Sequence, residues 1–192
     1  MEILEKHEIN KIIDNLKSSK IVAMPTDTIY GFSCLVDDDN AIARLFKIKN
    51  RDDSKQFIIL VSKEFDLNKL ISVTDNIKTF INNNTPNPLT MIVNRNLEYK
   101  LSKRFNLPTI AIRIPDDEYL QRILSKVGLL ISTSCNVQGA NPINDYDEII
   151  NAFPSIDAVV KDTIIASNKS STIIDLTNDE FKIVRQGDFI VK

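Results

Sequence analysis

The feature that most restricts how this chain can fold is a series of short apolar runs, separated by segments whose apolar residues recur at helical spacing. The runs at residues 21–24, 57–61 and 129–132 are almost wholly apolar. Runs of this length predict strands that are buried on both faces of a sheet. Residues 8–16 place apolar side chains at helical spacing, which predicts an amphipathic helix. Because strands and helices alternate irregularly, we expect an α/β fold with a mixed sheet rather than a regular doubly wound one.

The remaining periodic segments extend this prediction along the chain. Further strands are predicted at residues 89–93, 109–114, 158–160, 172–176 and 181–184, and further helices at residues 41–48, 77–81, 118–126 and 146–153. Asn40 and Asp116 are predicted to cap two of these helices. Since no repeat, low-complexity tract or linker interrupts the sequence, we expect one domain across residues 1–192.

The composition excludes several classes of protein. Hydrophobic residues make up 43% of the chain and charged residues 26%, as is ordinary for a globular domain. The formal net charge of -2 gives no global basic field for nucleic acid. The two cysteines, Cys34 and Cys135, cannot provide a zinc-binding spacing and are typical of reduced thiols. A charged N-terminus and the lack of an apolar run of about 20 residues predict a cytoplasmic protein without membrane contact.

A polar loop follows the first buried strand. Pro25 ends the apolar run, and Thr26, Asp27 and Thr28 then supply two hydroxyl groups and a carboxylate before Gly31. Hydroxyl-rich loops at strand ends are common small-molecule sites in α/β proteins, so this loop is a candidate binding site. An ordinary polar turn is the alternative interpretation of the same residues.

Positive side chains are the candidates for phosphate binding. The chain has no glycine-rich phosphate loop or dinucleotide fingerprint, and it contains only 4 glycines. Lys49, Arg51 and Lys55 are clustered at the end of a predicted helix. These cations either bind phosphate or stabilise the C-terminus of the helix through its dipole.

Arg113 is unusual because it lies inside an apolar strand. By alternation it shares one face of that strand with Ala111 and Thr109. A guanidinium in this position needs a partner, since an unpaired buried charge is costly. A bound carboxylate or phosphate and an internal acidic residue are both suitable partners. A second arginine, Arg185, ends the last predicted strand.

Another polar cluster, Ser132-Thr133-Ser134-Cys135-Asn136, follows a predicted strand. We interpret Cys135 as a small turn residue rather than a nucleophile, because the sole histidine, His7, is far away in the sequence. The lack of histidine also argues against a serine hydrolase triad. The acidic run Asp37-Asp38-Asp39 lacks the spaced ligands of a calcium loop and is predicted to be a solvated segment.

Seven segments, taken in order, resemble the motifs of one family. They are Pro25-Thr26-Asp27-Thr28-Ile29-Tyr30-Gly31, Lys49-Asn50-Arg51, Pro86-Asn87-Pro88-Leu89-Thr90, Ile110-Ala111-Ile112-Arg113-Ile114-Pro115, Ser134-Cys135-Asn136, Ser171-Thr172-Ile173-Ile174-Asp175-Leu176 and Val184-Arg185-Gln186-Gly187. The family that they resemble is the YrdC-like domain of the threonylcarbamoyl-AMP synthases. Each motif is weak alone, whereas the whole series in sequence order is specific and extends over residues 21–187.

The resemblance implies a twisted mixed sheet of parallel and antiparallel strands, flanked by helices, with a concave and positively charged cleft. It implies an enzyme of the short bacterial type that joins L-threonine, bicarbonate or CO2, and ATP into L-threonylcarbamoyl-AMP and releases pyrophosphate. Mg2+ would arrive with ATP, and no organic cofactor is implied. The product would pass to a separate transferase complex for the t6A modification of the tRNA anticodon loop.

The resemblance also assigns candidate site residues, without any protein metal ligand. The implied catalytic residues are Lys49, Arg51, Ser134 and Asn136. The implied ATP-binding residues are Arg51, Lys55, Thr109, Asn136 and Arg185. The implied L-threonine-binding residues are Thr28, Arg113, Ser134 and Ser171. The departures from the family motifs lie beside these side chains, at Asp52, Thr85, Asn87, Cys135 and Gln138.

Two other functions stay open at this point. The first is a non-catalytic RNA-binding or regulatory module of the same fold, in which tRNA would bind directly. The charge balance and the lack of aromatic stacking motifs argue against it. The second is a carbamoyl-adenylate domain that serves another acceptor, and its usual additional domains are not found in this sequence.

Overall fold

The computed structural model describes residues 1–52, 57–105, 107–162, 169–178 and 180–192. The strands are β1 (Glu2–Glu5), β2 (Val22–Met24), β3 (Gly31–Leu35), β4 (Ile58–Leu60), β5 (Leu89–Asn94), β6 (Thr109–Arg113), β7 (Leu130–Ser134), β8 (Ala158–Lys161), β9 (Thr172–Asp175) and β10 (Lys182–Arg185). The helices are α1 (Ile9–Lys17), α2 (Asp39–Lys49), α3 (Leu67–Leu70), α4 (Asp75–Asn84), α5 (Glu118–Val127) and α6 (Tyr146–Ala152).

The described strands form a single mixed sheet in the order β1-β8-β2-β3-β7-β4-β6-β5-β9-β10. The pairs β1–β8, β2–β8, β4–β6 and β5–β9 are parallel. The pairs β2–β3, β3–β7, β4–β7, β5–β6 and β9–β10 are antiparallel. The predicted mixed sheet with flanking helices is therefore confirmed.

The two faces of the sheet are covered by different helices. Along β7, Ile131 packs on one face, in a core with buried side chains of α2, α3, α4 and α6. Leu130 packs on the other face, in a second core with buried side chains of α1 and α5. Ser132 has the same parity as Leu130, so it lies on the second face, beyond the region that these two helices cover. This partly covered face carries the candidate site.

The helix caps differ from those predicted, by one or two residues. Asp38, not Asn40, caps α2, because its carboxylate accepts hydrogen bonds from the backbone N–H groups of Asn40 and Ala41. Asp117, not Asp116, caps α5 by accepting from the N–H of Leu120. The acidic run before α2 is therefore part of a helix start, where negative charge also favours the helix dipole.

Three elements are found where the sequence analysis predicts none. They are β1, β3 and the short helix α3. Also, β7 continues through Ser134, so Thr133 and Ser134 of the predicted polar cluster are strand residues. As a result, Ser134 is held in the sheet opposite Gly31 of β3. No helix in the described part of the chain is long and apolar enough to cross a membrane.

Candidate active site

A cavity of about 270 Å³ lies on the partly covered face of the sheet. Its apolar floor is one row across three neighbouring strands, in which Ile58 lies opposite Ala111 and Ala111 lies opposite Ile92. Ser132 continues this row on β7 and also lines the cavity. Charged and hydroxyl-bearing side chains surround the floor. An apolar base with a few convergent polar groups is typical of a small-molecule site.

The polar loop between β2 and β3 contacts Arg113 at one side of the cavity. Arg113 is 5% exposed, and its Nη1 donates to Thr28 Oγ1 at 3.1 Å and its Nη2 to Thr26 Oγ1 at 3.4 Å. Asp27 Oδ1 lies 3.2 Å from Nη2 and forms an ion pair with it. The internal acidic partner considered for Arg113 is thus present, and Arg113 also lines the cavity. Its Nε has no hydrogen-bond partner among the described residues.

The opposite side of the cavity is formed by the segment around β9 and β10. Arg185 donates through Nε and Nη2 to the carbonyl oxygen of Ser171, at 3.1 and 2.8 Å. The hydroxyl of Ser171 lies 2.7 Å from Thr90 Oγ1, and both residues are buried. Burial, together with the Arg113 cation, lowers the pKa of Arg185 from its ordinary value. Two guanidinium groups therefore face one cavity, which favours a negatively charged ligand.

Arg51 supplies a third guanidinium. It follows the C-terminus of α2, lines the cavity, and stacks on Phe57 with 4.9 Å between the guanidinium carbon and the ring centroid. Burial lowers the pKa of Arg51 from its ordinary value. A partly desolvated guanidinium binds an anion more strongly than one in bulk water does. Arg51 is thus placed to bind phosphate.

Lys49 is buried, and its ammonium group contacts the last residue of β7 and the loop that follows it. Its ammonium group donates to the carbonyl oxygen of Ser134 at 2.5 Å, to that of Asn136 at 2.8 Å, and to Asn136 Oδ1 at 2.9 Å. Burial lowers the pKa of Lys49 to about 8. The Ser134 hydroxyl donates to Asn136 Oδ1 at 2.5 Å and lines the cavity. Lys49 and Asn136 do not line the cavity, and both contact Ser134, which does.

Of the other predicted site residues, one lies away from the cavity and one lies outside the described part of the chain. Thr109 lies on β6 on the same face as Ala111 and Arg113, as predicted, but it does not line the cavity. Lys55 lies outside the described residues. Cys135 is fully buried, and burial raises the pKa of its thiol, so this side chain cannot act as an accessible nucleophile.

Several residues of the site carry no assignment from the sequence. In the sequence, Thr26 and Asp27 are recognisable only as part of a polar loop, and Thr90 only as part of a family motif. Tyr30 anchors this loop from the other side, because its hydroxyl donates to Val160 O at 2.9 Å and accepts from the Asp162 N–H at 3.0 Å. The alternation of side chains between the two faces of β4, β5 and β9 predicts which of their residues line the cavity, namely Ile58, Ile92 and Ile173. Across the described residues, no three His, Cys, Asp or Glu side chains form a group that could hold a metal ion.

A mixed α/β sheet with three arginines around a hydroxyl-rich cavity is typical of a protein that binds a small anionic molecule. The model of the Sua5/yciO/yrdC family, described as "Telomere recombination", matches residues 14–187. The chain belongs to this family.

Relatives of known name agree with this assignment. A putative threonylcarbamoyl-AMP synthase of Methanocaldococcus jannaschii is 30% identical over 96% of this chain and 89% of its own length. A threonylcarbamoyl-AMP synthase of Blochmanniella pennsylvanica is 26% identical, with 97% of each chain covered. Among solved structures, P. abyssi Sua5 complexed with L-threonine has the same fold, with a TM-score of 0.88 and 23% identity. The match covers 97% of this chain, which spans only 58% of that Sua5 chain.

Proposed function

We propose that this chain is a threonylcarbamoyl-AMP synthase, which joins L-threonine, CO2 or bicarbonate, and ATP and releases pyrophosphate. The names of the relatives support the activity. The observation that carries the assignment of the site is the convergence of Arg51, Arg113 and Arg185 on one cavity. The substrates bring a carboxylate and three phosphates, the first step forms a carbamate, and guanidinium groups suit each of these anions.

L-threonine is proposed to bind at Arg113. Its carboxylate would pair with the guanidinium, and the hydroxyls of Thr28 and Ser171 would orient the amino acid. Support comes from the placement of all three residues on the cavity wall and from the L-threonine bound to P. abyssi Sua5. Ser134, at the end of β7, would contact the reacting end of the substrate.

ATP is proposed to bind on the side of Arg51 and Arg185. Their charges would offset those of the phosphates. Lys49 and Asn136 would contribute by holding the Ser134 hydroxyl, while Lys55 and Thr109 stay predictions from the family motifs. Mg2+ would be bound by the phosphates of ATP, and we assign no side chain of the described residues to it.

The proposed reaction has two steps. The neutral amine of threonine adds to CO2, and its nitrogen releases a proton to solvent to give an N-carboxylate. An oxygen of this group then attacks the α-phosphorus of ATP, and the bond to the leaving pyrophosphate breaks. The protein contributes chiefly by holding the reactants close together and by placing fixed positive charge where negative charge accumulates. The threonylcarbamoyl-AMP would pass to a tRNA-modifying transferase complex.

Pyrophosphate release by the purified chain tests this function. ATP, bicarbonate and Mg2+ are supplied with and without L-threonine, and the nucleotide product is identified by its mass. Release that depends on L-threonine, with formation of the threonylcarbamoyl adduct, is the expected result. Turnover with another amino acid, and none with L-threonine, would favour the alternative function of a carbamoyl-adenylate domain that serves another acceptor. Salt-dependent RNA binding without turnover would favour the non-catalytic RNA-binding module.

A further inference from the structure

Asp27 is the buried acidic residue beside the proposed carboxylate-binding arginine. The side chains of Asp27 and Arg113 are 3% and 6% exposed, and Oδ1 lies 3.2 Å from Nη2. Neither carboxylate oxygen of Asp27 has a hydrogen-bond partner among the described residues. A buried carboxylate in this state is costly unless a nearby cation stabilises it. The ion pair with Arg113 is the largest interaction that favours the charged form of Asp27, and the backbone of Asp27 and of Asp116 acts in the same direction.

The ion pair lies away from the ligand. Thr26 and Thr28 line the cavity, whereas Asp27, between them in the sequence, does not. The three consecutive residues thus hold Nη1 and Nη2 of Arg113, and Nε is left without a partner among the described residues. Of the three contacts, only the one with Asp27 is between opposite charges, and such contacts are the stronger ones.

We propose that Asp27 is a positioning residue, whose carboxylate fixes the Arg113 guanidinium in the orientation that binds the carboxylate of L-threonine. This inference rests on the proposed function. It predicts that loss of the Asp27 charge weakens the binding of L-threonine and leaves the binding of ATP unchanged. The opposite effect is also physically possible, since Asp27 repels a second carboxylate, so the sign of the change is decisive.

Acid should have the same effect as loss of the side-chain charge. Burial raises the pKa of Asp27 above its ordinary value, Asp117 adds to this rise, and Arg113 opposes it. The backbone of Asp116, just before α5, acts in the same direction as Arg113, and the cation of Arg185 acts on Arg113 from the other side. Above its pKa, Asp27 is charged and holds Arg113. As the pH falls through that pKa, the ion pair is lost and the affinity for L-threonine falls.

The first test is the Asp27→Asn variant, which keeps the shape of the side chain and removes its charge. We expect the KM for L-threonine to rise at least about tenfold, with the KM for ATP within about twofold of the wild-type value. Asp157→Asn is the matched control, because it breaks another Asp–Arg ion pair, with Arg44 at 2.8 Å, that is remote from the cavity. An unchanged or lower KM for L-threonine in Asp27→Asn overturns the inference.

A second test does not depend on the folding of a variant. The Kd of L-threonine for the wild-type protein is measured by calorimetry from about pH 7 down to about pH 4, near the ordinary pKa of an aspartate, and free L-threonine stays zwitterionic over this range. Weaker binding toward acid pH is expected, and a flat profile overturns the inference. If pyrophosphate release does not need L-threonine, the proposed function fails and this inference with it. If release needs L-threonine but either Asp27 result is negative, this inference alone fails.

Discussion

The Lys49 ammonium and the Asn136 amide oxygen are 2.9 Å apart, and the Ser134 hydroxyl donates to that same amide oxygen. Lys49 therefore connects the end of α2 to the loop after β7. The ammonium group also donates to the backbone carbonyls of Ser134, at the end of β7, and of Asn136, in the loop. A lysine that the sequence suggests for phosphate binding is thus engaged with the protein, and among the described residues of this cluster Arg51 is the cation that lines the cavity.

Lys49→Met should lower both stability and activity. Three carbonyl oxygens would lose their donor, which should cost about 3 kcal/mol of unfolding free energy. Because the pKa of Lys49 is about 8, the ammonium is charged below that pH and loses its proton above it. The ratio of wild-type to variant kcat/KM should therefore fall above about pH 8, and taking the ratio removes the titration of the substrates. A ratio that is constant between about pH 6 and 10 would contradict this role.

Arg51→Ala should have a larger effect on the chemical step. If Arg51 meets the charge that develops on the phosphates, its loss should lower kcat/KM by about 100- to 1000-fold. Arg104→Ala is a suitable control, since Arg104 also stacks on an aromatic ring, that of Phe46, but does not line the cavity. The measurement is threonine-dependent pyrophosphate release, and the wild type and both variants are first shown to be equally folded. Full activity in Arg51→Ala would remove Arg51 from the mechanism.

Local sequence patterns predicted the elements whose periodicity is strong. The helix predicted at residues 8–16 is α1 (Ile9–Lys17), and the alternation around Arg113 is correct, with Ile110 and Ile112 in the core and Ala111 at the cavity. By contrast, β1 pairs with β8 at positions as far apart in sequence as Glu2 and Ala158. Such long-range pairing leaves little local signal, because a charged four-residue segment becomes a strand only when its partner is present.

The site was predictable as a set of residue types, but not as a set of contacts. The family motifs supplied Arg51, Arg113 and Arg185, which do line one cavity. The partner of Arg113 could not be chosen from the sequence, because a ligand and an internal acid are equally compatible with a buried guanidinium. Similarly, the capping role of Asp38 rather than Asn40 depends on which oxygen reaches the free N–H groups, and both residue types are good caps.

Gly187→Ala should disturb the site through Arg185. A Cβ atom at Gly187 would lie 2.4 Å from Ser170 O and 2.6 Å from the backbone nitrogen of Thr172, so the backbone must shift. Arg185 would then lose its hydrogen bonds to Ser171, and we expect the KM for ATP to rise severalfold. Gly128→Ala is the control, because its φ of 82° makes alanine strained there without any contact with the cavity. Equal KM values for ATP in the two variants would argue against a role of the turn at Gly187 in holding Arg185 for ATP binding.

Ala111→Leu should block the cavity without unfolding the protein. Ala111 is the smallest side chain of the floor, between Ile58 and Ile92 on the neighbouring strands. A leucine there would extend into open cavity space rather than into the packed core, so the melting temperature should change little. We expect kcat/KM to fall at least about tenfold, since the substrate loses part of its space. Ala111→Ser, which keeps the small size, should remain close to wild type. If Ala111→Leu keeps wild-type activity, the substrates do not bind over this floor, and the proposed location of the site is wrong.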